Sequence, residues 1–134
     1  MQEVLRLDFI EAQKSFTVGA YKACGLLCGG LIEGMLLDIV QRRSDQPIEQ
    51  DRVGMTTLIR MASDLKLVGI RALRFAEGAR DIRDTVHPRA EVRQGSRVSI
   101  EEASILLELV KLIYNDLTAR LGMGQKNDKP TSPP

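Results

Sequence analysis

The chain of 134 residues contains no tryptophan, two tyrosines, three phenylalanines and a single histidine. An aromatic content of 4% excludes a core built on large rings, so aliphatic side chains are expected to fill the interior. With only one histidine, no cluster has the ligands that zinc or a di-iron bundle site requires. We therefore predict neither a metal nor any other cofactor.

Cysteine is also rare. Cys24 and Cys28 lie four residues apart inside an apolar helical pattern. A disulfide requires facing Cβ atoms, which an intact helix rarely supplies at this spacing, so both are expected to be buried thiols in a reducing compartment. Met1 is not followed by the apolar core of a signal peptide, and the longest apolar run, Ala23 to Ile32, covers about half a bilayer. These features predict a cytoplasmic protein without membrane contact.

No large excess of one charge is present, because 19 basic residues face 18 acidic ones. No global field therefore favours nucleic acid or membrane. The one asymmetry is local: from Arg71 to Arg97 there are seven arginines against four acids. Hydrophobic and charged contents of 43% and 28% are typical of a globular protein. We expect one helical domain over residues 1–124 and a disordered tail over 125–134.

Hydrophobic periodicity predicts about five helices and no strand, hence an all-α fold, an antiparallel up-down helical bundle. The expected ranges are about 2–15, 17–43, 52–67 and 70–86, followed by a last helix that begins after a capping box of Ser99 and Glu102. The last helix also carries a second apolar line, which predicts contact with another subunit; it consists of Ile105, Leu109 and Leu112.

The second helix is apolar nearly all round, which predicts a central, buried position. Its glycine pairs, Gly25 with Gly29 and Gly30 with Gly34, are expected to permit close crossing by neighbouring helices. Glu33 lies in the middle of this helix. A buried carboxylate there needs a partner, for which an arginine near Arg80 is a candidate, unless Glu33 reaches solvent along a thin polar stripe.

The only histidine ends a segment rich in arginine and aspartate, just before Pro88. If this segment is helical, Arg80, Asp84 and His87 share a face. Arginine binds phosphate through its planar fork, and histidine exchanges protons near neutral pH, which together suffice for metal-free RNA cleavage. Two inert interpretations stay open: His87 favourably placed at a helix C-terminus, and Asp84 simply neutralising Arg80.

The order of these features resembles the HEPN superfamily of small α-helical bundles. HEPN domains carry an arginine, a gap of four to six residues and a histidine at the end of the penultimate main helix. Arg80 and His87, with six residues between them, fit that gap, whereas Arg83 does not. The stretch ending in His87-Pro88 also looks like a common variant that ends in Arg-Asn, two residues, His-Pro.

The likeness extends beyond the motif, to roughly residues 5–120. A long central helix with a small-residue run leading to Glu33, and a capped apolar last helix after a loop, are similar to the HEPN arrangement. Two positions depart from it. Asp84 stands where the variant usually has asparagine, and Arg89 stands where toxins paired with a nucleotidyltransferase antitoxin often have tyrosine.

The resemblance implies a homodimer in which two Arg/His faces meet in one cleft. Many HEPN domains are metal-independent endoribonucleases of defence or toxin–antitoxin systems, with an antitoxin as partner protein. Others are non-catalytic RNA-binding or assembly modules, and that alternative stays open here, as does an unrelated helical bundle. The implied roles are proton transfer by His87, phosphate binding by Arg80, orientation by Arg83 and Asp84, support by Glu33, and RNA guidance by Arg89, Arg93 and Arg97.

Overall fold

The computed structural model describes residues 2–45, 47–48, 54–67, 69, 74, 76–78, 80–81 and 97–121. Within these ranges, four helices have defined bounds: α1 (Gln2–Thr17), α2 (Tyr21–Arg43), α3 (Met55–Asp64) and α4 (Ile100–Leu121). Residues 74, 76–78 and 80–81 also have helical backbone, and we call these six residues the 74–81 segment. No strand occurs among the described residues, and the predicted all-α class is confirmed.

Helix α2 is the centre of the fold, as its composition predicts. It packs against α1, α3 and α4, and ten of its residues are buried. Ile32 and Leu36 are fully enclosed, and aliphatic side chains from all four helices complete the core. Burial of this apolar surface is the main force that holds the helices together.

The glycines of α2 face different surroundings. A methyl group at Gly34 would lie 3.1 Å from Leu5 Cδ2 of α1, and one at Gly25 would lie 3.6 Å from Leu106 Cδ1 of α4. Close approach of a neighbour is therefore confirmed at Gly34, whereas a methyl group at Gly25 would make only ordinary van der Waals contact. At Gly30 the same test finds no atom within 4 Å, and Leu26 one turn earlier is 48% exposed. The expected close crossing at Gly30 is wrong within this chain.

Helix α2 also meets the length and composition of a membrane span, with a mean hydropathy of 1.8. In the fold, 56% of that apolar window is buried against protein. The core helix of a soluble protein and an N-terminal signal sequence share this composition, so the helix carries no argument about location.

Helix α1 ends in a Schellman motif, a reversal in which the backbone passes through a left-handed residue. Gly19 has a φ of 82°, its N–H donates to Phe16 O, and the N–H of Ala20 donates to Ser15 O. The second helix therefore begins at Tyr21 and not at residue 17 as predicted. Glycine tolerates this backbone because it has no Cβ.

Helix α3 ends in the same motif, but the left-handed residue is a lysine. Lys66 has a φ of 56° and its N–H donates to Ser63 O, while the N–H of Leu67 donates to Ala62 O. The expected helix to residue 67 is thus too long by three residues. Leu67 is buried after the reversal, and this burial offsets the strain at Lys66.

Helix α4 begins at the predicted capping box. The N–H of Glu102 donates to Ser99 Oγ, and the N–H of Ser99 donates to Glu102 Oε1. On the second apolar line of this helix, Leu109 is buried, whereas Ile105 and Leu112 are 54% and 37% exposed. One residue of the line is therefore in the core and two are on the surface.

Candidate functional site

Arg80 is the motif residue whose surroundings the structure describes. Its side chain is 33% exposed and extends from the 74–81 segment to α3. Nη1 donates to Thr56 Oγ1 at 2.7 Å, and Nη2 donates to Asp81 Oδ1 at 3.1 Å. Two fixed hydrogen bonds orient the guanidinium group, and the remaining N–H groups of its five can point to a ligand.

The guanidinium group lies beside the beginning of α3. Thr56 is the second residue of that helix, and Gly54 at its N-cap provides no side-chain hydrogen bond. The first N–H groups of a helix lack partners within the helix and carry a partial positive charge. Arg80 therefore adds a full positive charge to an end that is already electropositive. Such a combination favours a phosphate or another anion.

Asp81 works against this positive potential. Its carboxylate pairs with Arg80, but the side chain is exposed, and exposed ion pairs contribute little free energy. A phosphate with bidentate geometry can therefore compete for the same guanidinium group. Asp84, which one interpretation had as the residue that neutralises Arg80, lies outside the described residues; the adjacent Asp81 pairs with Arg80.

Two alternatives were left open for Glu33: a buried carboxylate paired with an arginine, or a side chain that reaches solvent along a thin polar stripe. No charged residue is fully buried among the described residues, and Glu33 is half-buried on α2. The side chain therefore keeps contact with solvent, as in the second alternative. The two hydrogen bonds of Arg80 go to Thr56 and Asp81, and support by Glu33 stays a prediction.

The other motif residues divide into one that the structure places and five that it does not. Arg97 is exposed, immediately before the capping box of α4. The remaining residues lie outside the described part of the chain; they are Arg83, Asp84, His87, Arg89 and Arg93. The spatial relation of His87 to Arg80 therefore stays a prediction from their spacing.

The two cysteines belong to the core. Cys24 and Cys28 are free thiols with no exposed surface, as predicted. Burial raises the pKa of both thiols, and a hydrogen bond between them raises the pKa of Cys28 further. A buried thiol whose pKa lies this far above neutrality is a poor nucleophile, so neither cysteine is a candidate catalytic residue.

Sequence reasoning missed Thr56 as a partner of Arg80. The two residues are 24 positions apart, and an exposed threonine near a helix start gives no sign of a distant arginine.

No protein-family model, curated protein or solved structure matches this chain.

Proposed function

We propose that this chain is a HEPN-like endoribonuclease that works without a metal, as a cytoplasmic homodimer in a defence or toxin–antitoxin type system. We further propose that its helices form an antiparallel up-down bundle. The observation that carries the proposal is the position of the Arg80 guanidinium group at the uncapped beginning of α3. This arrangement favours the phosphate of a bound RNA strand.

In the proposed reaction, His87 removes the proton from a ribose 2′-hydroxyl group. The resulting oxygen attacks the adjacent phosphorus, and the bond from phosphorus to the 5′-oxygen breaks. Arg80 stabilises the negative charge that develops on the phosphorane oxygens. The departing 5′-oxygen takes up a proton from water and His87 returns its proton to water, so the products are a 2′,3′-cyclic phosphate and a 5′-hydroxyl end.

The test is incubation of the purified protein with mixed RNA in excess EDTA. We expect cleavage with cyclic phosphate ends, and a loss of at least about 100-fold for His87→Ala, as is typical when a general base is removed. Arg80→Gln should lose cleavage as well, whereas Arg42→Gln serves as the charge-matched control, because Arg42 is paired with Asp38 on α2. Cleavage that survives His87→Ala unchanged would overturn the assignment.

A non-catalytic RNA-binding module is the second candidate, and the pairing of Arg80 with Asp81 favours it. A carboxylate beside the phosphate-binding group weakens the stabilisation of extra charge in the transition state. In that case the protein should bind RNA with strong salt dependence but leave it intact. The variants Asp81→Asn and Asp84→Asn separate the two candidates. If the protein is an enzyme whose activity these carboxylates lower, both variants should increase cleavage. If it is a non-catalytic module, neither variant should cleave RNA.

The proposed homodimer finds support in the exposed apolar side chains of α4. Ile105 and Leu112 are two turns apart on one line, a spacing that suits helix pairing. We expect Ile105→Lys to lower the dimer fraction in light scattering at micromolar concentration. Ser104→Lys, one position away on the same helix, is the control. Equal dimer fractions in both variants would show that this line is not the interface.

A further inference from the structure

A groove of about 490 Å³ runs between α3 and the 74–81 segment. Its volume lies within the range of roughly 300–1,000 Å³ that ligand sites occupy. Thr56, the hydrogen-bond partner of Arg80, lines one part of it, so the groove adjoins the candidate phosphate site. Among the described residues, the lining consists of Thr56, Ile59, Arg60, Ser63, Asp64, Arg74 and Glu77.

The lining residues follow one face of each element. On α3 they recur three and four residues apart, and on the 74–81 segment Arg74 and Glu77 are three apart. Ile59 is buried and forms an apolar floor, while Arg60, Asp64 and both residues of the segment are exposed. Of the residues that the structure describes, two cations and two anions therefore border one concave surface.

These four charged side chains do not neutralise one another. Among the ion pairs of the described residues, none involves Arg60, Asp64, Arg74 or Glu77, although the four share the groove. The groove thus offers guanidinium donors and carboxylate acceptors together, with hydroxyl groups from Thr56 and Ser63.

We infer that this groove binds the RNA nucleotide next to the one whose phosphate Arg80 holds. Arg60 and Arg74 bind the phosphate of that nucleotide, and Asp64 and Glu77 accept hydrogen bonds from its hydroxyl and amino groups. A site for a simple anion has no use for two carboxylates, whereas a nucleotide presents acceptors and donors at once. The inference rests on the proposed RNA function and extends it to substrate positioning.

The first test is the salt dependence of binding to a single-stranded RNA of twelve nucleotides, on the His87→Ala chain so that RNA is not consumed. Each phosphate contact on single-stranded nucleic acid contributes about 0.7 to the slope of log K against log salt concentration. The double variant Arg60→Gln, Arg74→Gln should lower that slope by about 0.7, because both arginines bind the same phosphate. The double variant Arg6→Gln, Arg42→Gln has the same net charge and should keep the slope of the parent chain.

The second test removes the carboxylates. If the groove binds a nucleotide, Asp64→Ala and Glu77→Ala each weaken RNA binding severalfold, because a hydrogen-bond acceptor is lost. If the groove is only a surface for polyanions, the same variants tighten binding, because a repulsive charge is lost, and the inference is overturned. Far-UV circular dichroism melts of each variant establish that the fold is intact.

The two proposals fail in different ways. If Arg80→Gln abolishes RNA binding while the groove variants match the parent, RNA binding at Arg80 stands and the groove inference is wrong. If the parent chain binds no RNA at all, both are wrong.

Discussion

Replacing Lys66 by glycine is expected to stabilise this protein, and replacing Gly19 by alanine is expected to destabilise it. Both residues occupy the left-handed position of a Schellman motif, with φ of 56° and 82°. The motifs have the same hydrogen bonds, so they differ chiefly in the residue that adopts the strained backbone. Lys66→Gly removes a Cβ from the left-handed position, whereas Gly19→Ala introduces one.

The magnitude follows from the backbone. A residue with a Cβ loses roughly 1–2 kcal/mol in the left-handed region, while glycine loses roughly 0.5–1 kcal/mol more entropy on folding. The net gain for glycine at Lys66 is about 0.5–1 kcal/mol. At Gly19 an added methyl group would meet no atom within 4 Å, so the expected loss of about 1 kcal/mol comes from the backbone alone.

Urea unfolding followed by circular dichroism measures these differences, and thermal melts should shift by about 3–5 °C per kcal/mol for a chain of this length. Lys66 makes a further interaction through the folded chain, so Lys66→Ala is the reference that removes the long side chain but keeps Cβ. The quantity of interest is the difference between Lys66→Gly and Lys66→Ala. If the glycine variant is no more stable than the alanine variant, the argument from backbone strain is refuted.

Three further predictions concern the core and the helix ends. Ser99→Ala removes the capping bond to Glu102 and should cost about 1 kcal/mol in urea unfolding, with little change in the slope of the transition. Leu36→Ala removes a fully buried side chain and should cost about 2–5 kcal/mol, with an unchanged native circular dichroism spectrum at low temperature as the check on folding. Because burial raises the thiol pKa values above the ordinary 9.0, the unfolded chain loses those protons first. The contribution of the two thiols to the free energy of unfolding is therefore complete below about pH 9 and is lost as the pH rises further. Cys28→Ala should make this decrease with pH less steep in urea titrations. Equal slopes in the parent and variant would contradict the assignment to Cys28.

Local signals in the sequence predicted local structure well. The capping box at Ser99 involves residues three apart, and the helix begins one residue later, where expected. The central position of α2 followed from its uniform apolar composition. These predictions succeed because the interactions that decide them lie within one or two helical turns.

Helix ends were predicted less well where the decisive residue was unusual. Nothing in the sequence around Lys66 indicates a reversal, because lysine normally continues a helix. The backbone adopts this reversal because it buries Leu67, and that burial depends on residues distant in the sequence. Gly19 gave a visible signal, but the apolar residues on both sides concealed the break between the two helices.

At the candidate site, too, local features were predicted from the sequence and long-range contacts were not. Spacing singled out Arg80, but its anchor on Thr56 and the neighbouring groove depend on how two distant elements pack. Arg60 and Asp64 look like ordinary surface residues of a helix until Arg74 and Glu77 are placed opposite them. Contacts between residues that are 10 or more positions apart become visible only in the tertiary structure. A single sequence without strand patterns or repeats gives no direct sign of them.

The attachment of α3 has a consequence for how the protein opens. Among the four helices with defined bounds, α1 and α4 contact both α2 and each other, whereas α3 contacts α2 and, beyond it, the 74–81 segment through Arg80. A ten-residue helix with fewer contacts to the other defined helices should open in a partial unfolding reaction, at a lower free energy than global unfolding. Amide hydrogens of α3 should then exchange faster than those of α2. Because the guanidinium group of Arg80 is fixed to Thr56, each such opening also releases the arginine, so the population of a competent phosphate site is linked to the docking of a single short helix.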